Sequence, residues 1–271
     1  LRAHAAQTGG GFHPPERSAI SIPSSIVNPA KALTGIAGFD EITGGGLPRG
    51  RTTLLSGGPG SGKTIFALQF LVHGARACKA PGIFVAFEES SARVTANAAS
   101  FGWNLPGLKR GKLHFVDAQP APDLVHAGDF DLCGMLAVLE ARARAIGAKR
   151  IVFDALDIVL DLLPDAAAQR RETHRLHAWL LEHEFTGIIT AKADGAGAMV
   201  DQPSGALQYM VDCAVLLHHS AVQGVSQRHL RVQKYRGSAF DENECPFLIG
   251  RSGFEVAIAR TPGRADPKVS T

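Results

Sequence analysis

No stretch of this 271-residue chain approaches the roughly 18 consecutive apolar residues that a membrane-crossing helix needs. The N-terminus also lacks the apolar core of a secretory signal, so a cytoplasmic protein is expected. There is no C-x-x-C pair. Cys78, Cys133, Cys213 and Cys245 stand far apart, which argues against zinc and disulfides and for buried thiols in a reducing compartment. An excess of one charge is missing too: the formal net charge is +3 and the basic residues are scattered, so nucleic acid is not an expected partner. With 45% hydrophobic and 20% charged residues, the chain can bury one substantial core or two.

Residues 1–30 are rich in Gly, Pro, Ser and His without hydrophobic periodicity, and are read as a flexible extension. Residues 31–260 are read as one folded domain, and 261–271 as a linker. Within the domain, apolar runs at Ile83–Phe87, Leu113–Asp117, Arg150–Asp154 and Gly187–Ala191 read as strands. Helical patterns lie between them at Ser91–Phe101, Leu132–Ile146 and Ala166–Glu184. Strands separated by helices of this length indicate an α/β fold with three layers, a largely parallel sheet covered on both faces. Beyond Val215 the runs Val215–His218, His229–Tyr235, Phe247–Ile249 and Phe254–Ala257 are expected to be added antiparallel strands.

Between a β-rich run, Arg51–Ser56, and a helical one, Thr64–Arg76, lies the glycine-rich segment GGPGSGKT. Its spacing Gly57-x-x-x-x-Gly62-Lys63-Thr64 is the Walker A pattern, in which backbone N–H groups and a helix N-terminus surround a nucleotide β-phosphate. Gly58, Gly60 and Gly62 supply backbone freedom, Lys63 would neutralise the β- and γ-phosphates, and the Thr64 hydroxyl would hold Mg2+. Two more strand ends fit this chemistry. KRIVFDALD closes a strand on Asp154, a Walker B carboxylate that would hold the metal beside Thr64. IFVAFEES closes another on Glu88 and Glu89, one of which would orient and deprotonate an attacking water.

The segments TGIAGFDEITGGGLPRG, GGPGSGKT, FVAFEES, ASFGW, VFDALD and QKYRGS, in this order, resemble the KaiC family of the RecA superfamily, above all the first ATPase domain of its two-domain members. The resemblance covers about Thr34 to Val256. It implies a RecA-like P-loop domain assembled as a homohexameric ring, with ATP and Mg2+ between neighbouring subunits. On one side it implies Gly60, Ser61, Gly62, Lys63, Thr64 and Ile65 with Ser100, and Glu88 and Glu89 as paired catalytic glutamates. From the neighbour it implies Lys234, Tyr235, Arg236 and Ser238; Lys234 and Arg236, two apart in a strand, share one face. Slow hydrolysis would drive conformational change and the binding of a KaiB-like or other signalling protein. The chain departs from the family's clock protein in carrying Phe240, Glu242 and Arg251 where that protein has a histidine, a lysine and an aspartate, which leaves base selectivity open. The serine and threonine that the clock protein phosphorylates lie in its second domain, so kinase activity is not expected of this chain.

Rival readings are a DNA-handling RecA-like motor, an ATP-assembled scaffold with little turnover, and a small-molecule kinase with no evident lid or acceptor site. The motor needs a basic central loop, whereas KADGAGAMVDQPSGAL sets Lys192 against Asp194 and Asp201, a poor match for phosphates. The scaffold would have no use for the glutamate pair. His174, His177, His218 and His219 announce no third converging ligand and are read as solvated or capping. The chain opens with Leu1, as a piece of a longer protein would, and Lys268-Val269-Ser270-Thr271 repeats the spacing of Lys31-Ala32-Leu33-Thr34. A second domain beginning at that repeat is expected.

Overall fold

Strands that are apolar at every position must be covered on both faces, and the computed structural model shows how. It describes residues 30–119, 132–193, 203–222 and 224–258, with the side chains of 203–206 and 222 excepted. The expected extension, the expected linker and residues 194–202 of the candidate DNA loop therefore lie outside the described residues.

A short ribbon of β1 (Lys31–Ala32) and β2 (Leu47–Pro48) encloses the one-turn helix α1 (Phe39–Ile42). Asp40 closes this ribbon by accepting hydrogen bonds from the Thr34 N–H and hydroxyl and from the Gly35 N–H, at 2.6–3.2 Å. There follow β3 (Thr52–Gly57), α2 (Lys63–Ala77), β4 (Gly82–Ala86) and α3 (Ser91–Asn97), which tightens into a 3₁₀ turn over Ala98–Phe101. The chain continues through α4 (Leu105–Leu108), β5 (Leu113–Asp117), α5 (Cys133–Ile146), β6 (Arg150–Asp154), α6 (Leu156–Leu160), α7 (Ala166–Glu182) and β7 (Thr186–Lys192). It ends with α8 (Pro203–Met210), β8 (Cys213–Val222), β9 (Val225–Tyr235), β10 (Cys245–Gly250) and β11 (Gly253–Val256).

The main sheet has nine strands in the order β11-β10-β9-β8-β3-β7-β6-β4-β5. From β8 to β5 all neighbours are parallel, and β9, β10 and β11 extend the sheet antiparallel. Side chains alternate between two cores, as the period of a strand requires. Leu55, Phe84 and Val152 meet α2 through Phe66, Phe70 and Leu71, whereas Leu54, Ile83, Val85, Ile151 and Phe153 meet α5 and α7 through Leu136, Leu139, Leu176 and Leu180. Three layers result. The fold class is the one expected.

Three local expectations are corrected. The run at Val215–His218 belongs to β8, which pairs in parallel with β3 on one side and only with β9 in antiparallel fashion. The reason is α8, read from sequence as loop, which carries the chain back so that β8 starts at the same edge as β3. Helix α3 stops at Asn97, and only a 3₁₀ turn reaches Phe101 before Gly102 (φ 66°) ends it. Of the four thiols expected to be buried, Cys213 and Cys245 are, Cys78 is half-buried, and Cys133, at the first residue of α5, is exposed.

Because strands β3, β4 and β6 run in one direction and in register, their C-terminal ends share one edge of the sheet. That edge carries the loop after Gly57, the Glu88–Glu89 pair after Ala86, and Asp154.

Candidate functional site

The loop between β3 and α2 is shaped by its glycines. Gly57 is pressed against β8, where a Cβ would lie 2.5 Å from Ser61 Oγ and 2.7 Å from the Leu217 carbonyl. Gly62 caps α2 at φ 97°, a backbone that side-chain-bearing residues resist. Around Gly58 there is open space, with nothing within 4 Å of a would-be Cβ. The Lys63 ammonium folds back over the loop and donates to the carbonyls of Gly57 at 2.7 Å and Gly58 at 3.2 Å. Its burial lowers the lysine's pKa, while the charges of Asp154, Asp157 and Glu88 pull the other way. Ser61 Oγ is buried without a hydrogen-bond partner among the described residues. An orphaned hydroxyl is an exception among buried polar groups, and this one sits beneath the open glycine loop.

Asp154 sits at the centre of the edge. Its two oxygens accept from Thr64 Oγ1 at 2.9 Å and Thr190 Oγ1 at 2.6 Å, and it is 8% exposed. Burial raises its pKa; the Thr190 and Thr64 hydrogen bonds and Lys63 oppose that shift, and Glu88 adds to it. A hydroxyl beside a carboxylate is a donor set of hard oxygens, which fits Mg2+. Because the folded state holds this proton more tightly than the unfolded state, stability falls as pH rises from the ordinary carboxylate range through the raised value. Asp154→Asn, measured without metal, is therefore expected to melt higher at pH 8, by about 2–4 °C for a gain of about 1 kcal/mol. The advantage should fade as the pH falls into the carboxylate range. Thermal melts that show the asparagine variant less stable at every pH would make Asp154 a structural residue instead.

Glu88 and Glu89 both line a cleft of about 610 Å³ over Pro59–Ile65, Asp154 and the 3₁₀ turn. They are not equivalent. Glu89 is tied to Arg93 at 3.4 Å and to Asn97 at 3.3 Å, whereas the Glu88 carboxylate is exposed, has no hydrogen-bond partner among the described residues, and acts electrostatically on both Lys63 and Asp154. Ser100 is exposed on the 3₁₀ turn and is not among the residues lining the cleft; Asn97 at the end of α3 and Ala98 and Phe101 of the turn line it.

Two residues of this site are absent from the sequence reading. Arg228 lines the cleft, and its Nε is buried without a hydrogen-bond partner among the described residues. The β9 run was read as starting at His229, and only the β8–β9 hairpin register, with Arg228 opposite His219, carries this guanidinium to the phosphate loop. Asp157, in the first turn of α6, faces Lys63 electrostatically and keeps one carboxylate oxygen buried without a partner.

Lys234, Tyr235, Arg236 and Ser238 lie at the other edge of the sheet. Tyr235, at the centre of this group, pairs with Cys213, and Cys213 with Thr53, while the loop begins at Gly57 opposite Leu217. Four strand residues at about 3.3 Å each put roughly 13 Å of sheet between the two groups. Lys234 lies in β9 and Arg236 in the turn after it, yet both reach the carbonyls that end α8. Lys234 donates to Gln208 at 2.9 Å and Tyr209 at 3.1 Å; Arg236 donates to Tyr209 at 3.0 Å and lies 4.0 Å from Asp212. Cations at a helix C-terminus are favourably placed. Tyr235 is committed within the chain: its hydroxyl donates to the Gly46 carbonyl at 2.9 Å, and burial raises its pKa. Ser238 accepts from Lys31 at 2.7 Å and donates to the Ala239 carbonyl. Of the departing residues, Phe240 stacks on Tyr235, with ring centres 6.1 Å apart, while Glu242 and Arg251 are exposed.

Among the described residues no three of His, Cys, Asp and Glu gather as a metal site, and no helix is long and apolar enough to cross a membrane. His177 Nδ1 lies 3.5 Å from Thr52 Oγ1 and His219 Nε2 lies 2.8 Å from Ser226 Oγ.

Comparison with known proteins adds the following. A family model described as "ATPase: KaiC" matches residues 32–260. A protein named circadian clock protein KaiC2, from Synechocystis sp., is 40% identical over 228 residues, which are 83% of this chain and 40% of that protein. The circadian clock oscillator protein KaiC of Thermostichus vulcanus is 39% identical over 238 residues, 87% of this chain and 46% of that one. The chain thus spans less than half the length of these curated relatives. Among solved structures, a KaiC-like protein from the hyperthermophilic archaeon Pyrococcus horikoshii superimposes with a TM-score of 0.74 at 31% identity, covering 84% of this chain and 99% of that one.

Proposed function

The chain belongs to the KaiC family of ATPases, and from that premise we propose that it binds ATP with Mg2+ over Gly58–Ile65 and hydrolyses it slowly within a ring of six copies. The observation that carries the reading is the division of the cationic groups between opposite edges of one sheet. Lys63, Thr64 and Asp154 stand at one edge, and Lys234 and Arg236 roughly 13 Å away at the other. Within one copy Lys234 and Arg236 are turned to the carbonyls that end α8, away from the loop; in a head-to-tail ring one copy's set would meet its neighbour's loop.

In this mechanism Lys63 exchanges the neutral carbonyls of Gly57 and Gly58 for β- and γ-phosphate oxygens. Thr64 and Asp154 are the residues that would hold Mg2+, which would supply positive charge to the phosphates when bound. Glu88, unengaged and at the cleft, takes the proton of the attacking water as its oxygen bonds to the γ-phosphorus and the bond to the ADP oxygen breaks. Glu89, held by Arg93 and Asn97, keeps the segment in place. Arg236 and Lys234 of the next copy stabilise the charge on the transferring group. Turnover would drive conformational change in a cytoplasmic ring and regulate binding of a KaiB-like or other signalling protein, as the clock names of the relatives suggest.

The shared site can be tested by mixing. Arg236→Ala is expected to lower phosphate release by about a thousand-fold or more. Combined with subunits carrying Glu88→Gln and Glu89→Gln, which still bind ATP and assemble, it should recover up to about a quarter of the wild-type rate, the fraction of interfaces that random mixing leaves intact. Mixtures as inactive as the separate variants would remove the trans site.

A further inference from the structure

At the N-terminal edge of the parallel strands, away from the phosphate loop, the chain lines a cavity of about 540 Å³. Arg49 and Arg51 enter it ahead of β3, Lys79 after α2, and Lys149 and Arg150 at the start of β6; Glu184, ahead of β7, is its one acidic lining residue. These cations are scattered along the sequence and look unremarkable there. They converge because every parallel strand begins at this edge, so the turns feeding β3, β6 and β7 become neighbours.

Two of the cations are fixed in place. Arg150 is 3% exposed, donates to the Phe70 carbonyl at 2.6 Å and lies 4.3 Å over the Phe70 ring. Gly74 makes room for it, since a Cβ there would fall 2.5 Å from the arginine Cδ. Arg51 is held by Asp212 at 3.3 Å. The side chains of the other three, Arg49, Lys79 and Lys149, have no hydrogen-bond or ion-pair partner among the described residues. Lys79 occupies the left-handed position that ends α2, at φ 50°, where glycine fits most easily. Like charges along a concave wall reinforce one another and concentrate anions.

We propose that this cavity is a second anion site, separate from the phosphate loop, which takes a small molecule carrying two or more linked phosphates. Its volume lies within the range of small-molecule sites, roughly 300–1,000 Å³. Planar guanidinium groups suit phosphate oxygens bidentately, and lysines add point charges. Among the described residues no aromatic side chain lines the cavity, so phosphates, rather than a stacked base, are the groups its lining suits. The chain's own terminal segments are poor occupants. Residues 1–29 carry Glu16 against Arg2 and Arg17, and residues 259–271 carry Asp266 against Arg260, Arg264 and Lys268.

The test is calorimetric titration of inorganic tripolyphosphate, without magnesium, into the Lys63→Ala protein, whose phosphate loop is disabled. Binding at one site is expected to persist, with only the phosphate-loop component of the wild-type titration lost. Arg49→Glu combined with Lys149→Glu should weaken this remaining binding at least tenfold in the Lys63→Ala background; without Lys63→Ala, the same pair should retain ATP–Mg2+ binding at the loop, which also reports an intact fold. Arg49→Gln with Lys149→Gln should give an intermediate loss. ATP that displaces tripolyphosphate from the Lys63→Ala protein would name a nucleotide tail as the ligand, and ATP that does not would name a free polyphosphate. The proposal is overturned if the Lys63→Ala protein fails to bind tripolyphosphate, or if the charge reversal leaves binding unchanged. It is equally overturned if the reversal alters subunit assembly without ligand, since the face would then be an interface between copies.

Discussion

Lys63→Ala is expected to lose ATP binding outright, and with it the assembly of subunits into rings. The ammonium is the one cation within the phosphate loop itself, and the folded loop already aims it, through the Gly57 and Gly58 carbonyls, across the space where phosphates would lie. Two or more charge-assisted contacts vanish together, and each is worth about 1.5–3 kcal/mol. A fall in affinity of a hundred-fold or more follows, since about 1.4 kcal/mol is tenfold. In the proposed ring, assembly should fail in parallel, because ATP at the interface would supply the charge that the neighbour's Lys234 and Arg236 would meet. Equilibrium binding of a fluorescent ATP analogue, with native mass measured at saturating ATP, checks both. Wild-type affinity in the variant would remove the loop from nucleotide binding, and intact rings without bound ATP would separate assembly from the nucleotide.

Glu88→Gln with Glu89→Gln is expected to leave ATP binding and assembly intact while phosphate release falls by about 10²–10⁴. Glutamine keeps the size and one oxygen of each side chain but cannot accept the water's proton. The structure sharpens this result beyond the pair. Glu89 is engaged by Arg93 and Asn97, so Glu88→Gln alone should account for most of the loss, and Glu89→Gln for a smaller one. Single-turnover phosphate release, measured on rings already loaded with ATP, isolates the chemical step from binding. Undiminished release by the double variant would take both glutamates out of the mechanism, and a larger loss from Glu89→Gln would reverse their roles.

Much of this protein was determined by its sequence alone, wherever the cause lies between near neighbours along the chain. The glycines and Lys63-Thr64 of the loop need only each other and a flanking strand and helix, and both elements formed within about one residue of the expected bounds. Apolar runs ending in Asp154 and in Glu88-Glu89 likewise declared buried parallel strands with carboxylates at their C-terminal ends. The tertiary structure decided what depends on register and on which edge a segment reaches. A ladder between distant segments made β8 a parallel strand and drew Arg228 to the phosphate loop. Spatial neighbours separated the two glutamates, left Ser100 outside the cleft, and turned Tyr235 into a buried brace for Gly46. The same sheet carried Lys234 and Arg236 to the edge opposite Lys63 and gathered the scattered cations Arg49, Lys79 and Lys149 into one cavity. Periodicity records which face of a strand is buried. It carries no record of which other strand lies beside it, because that pairing is set by contacts between residues far apart in the chain.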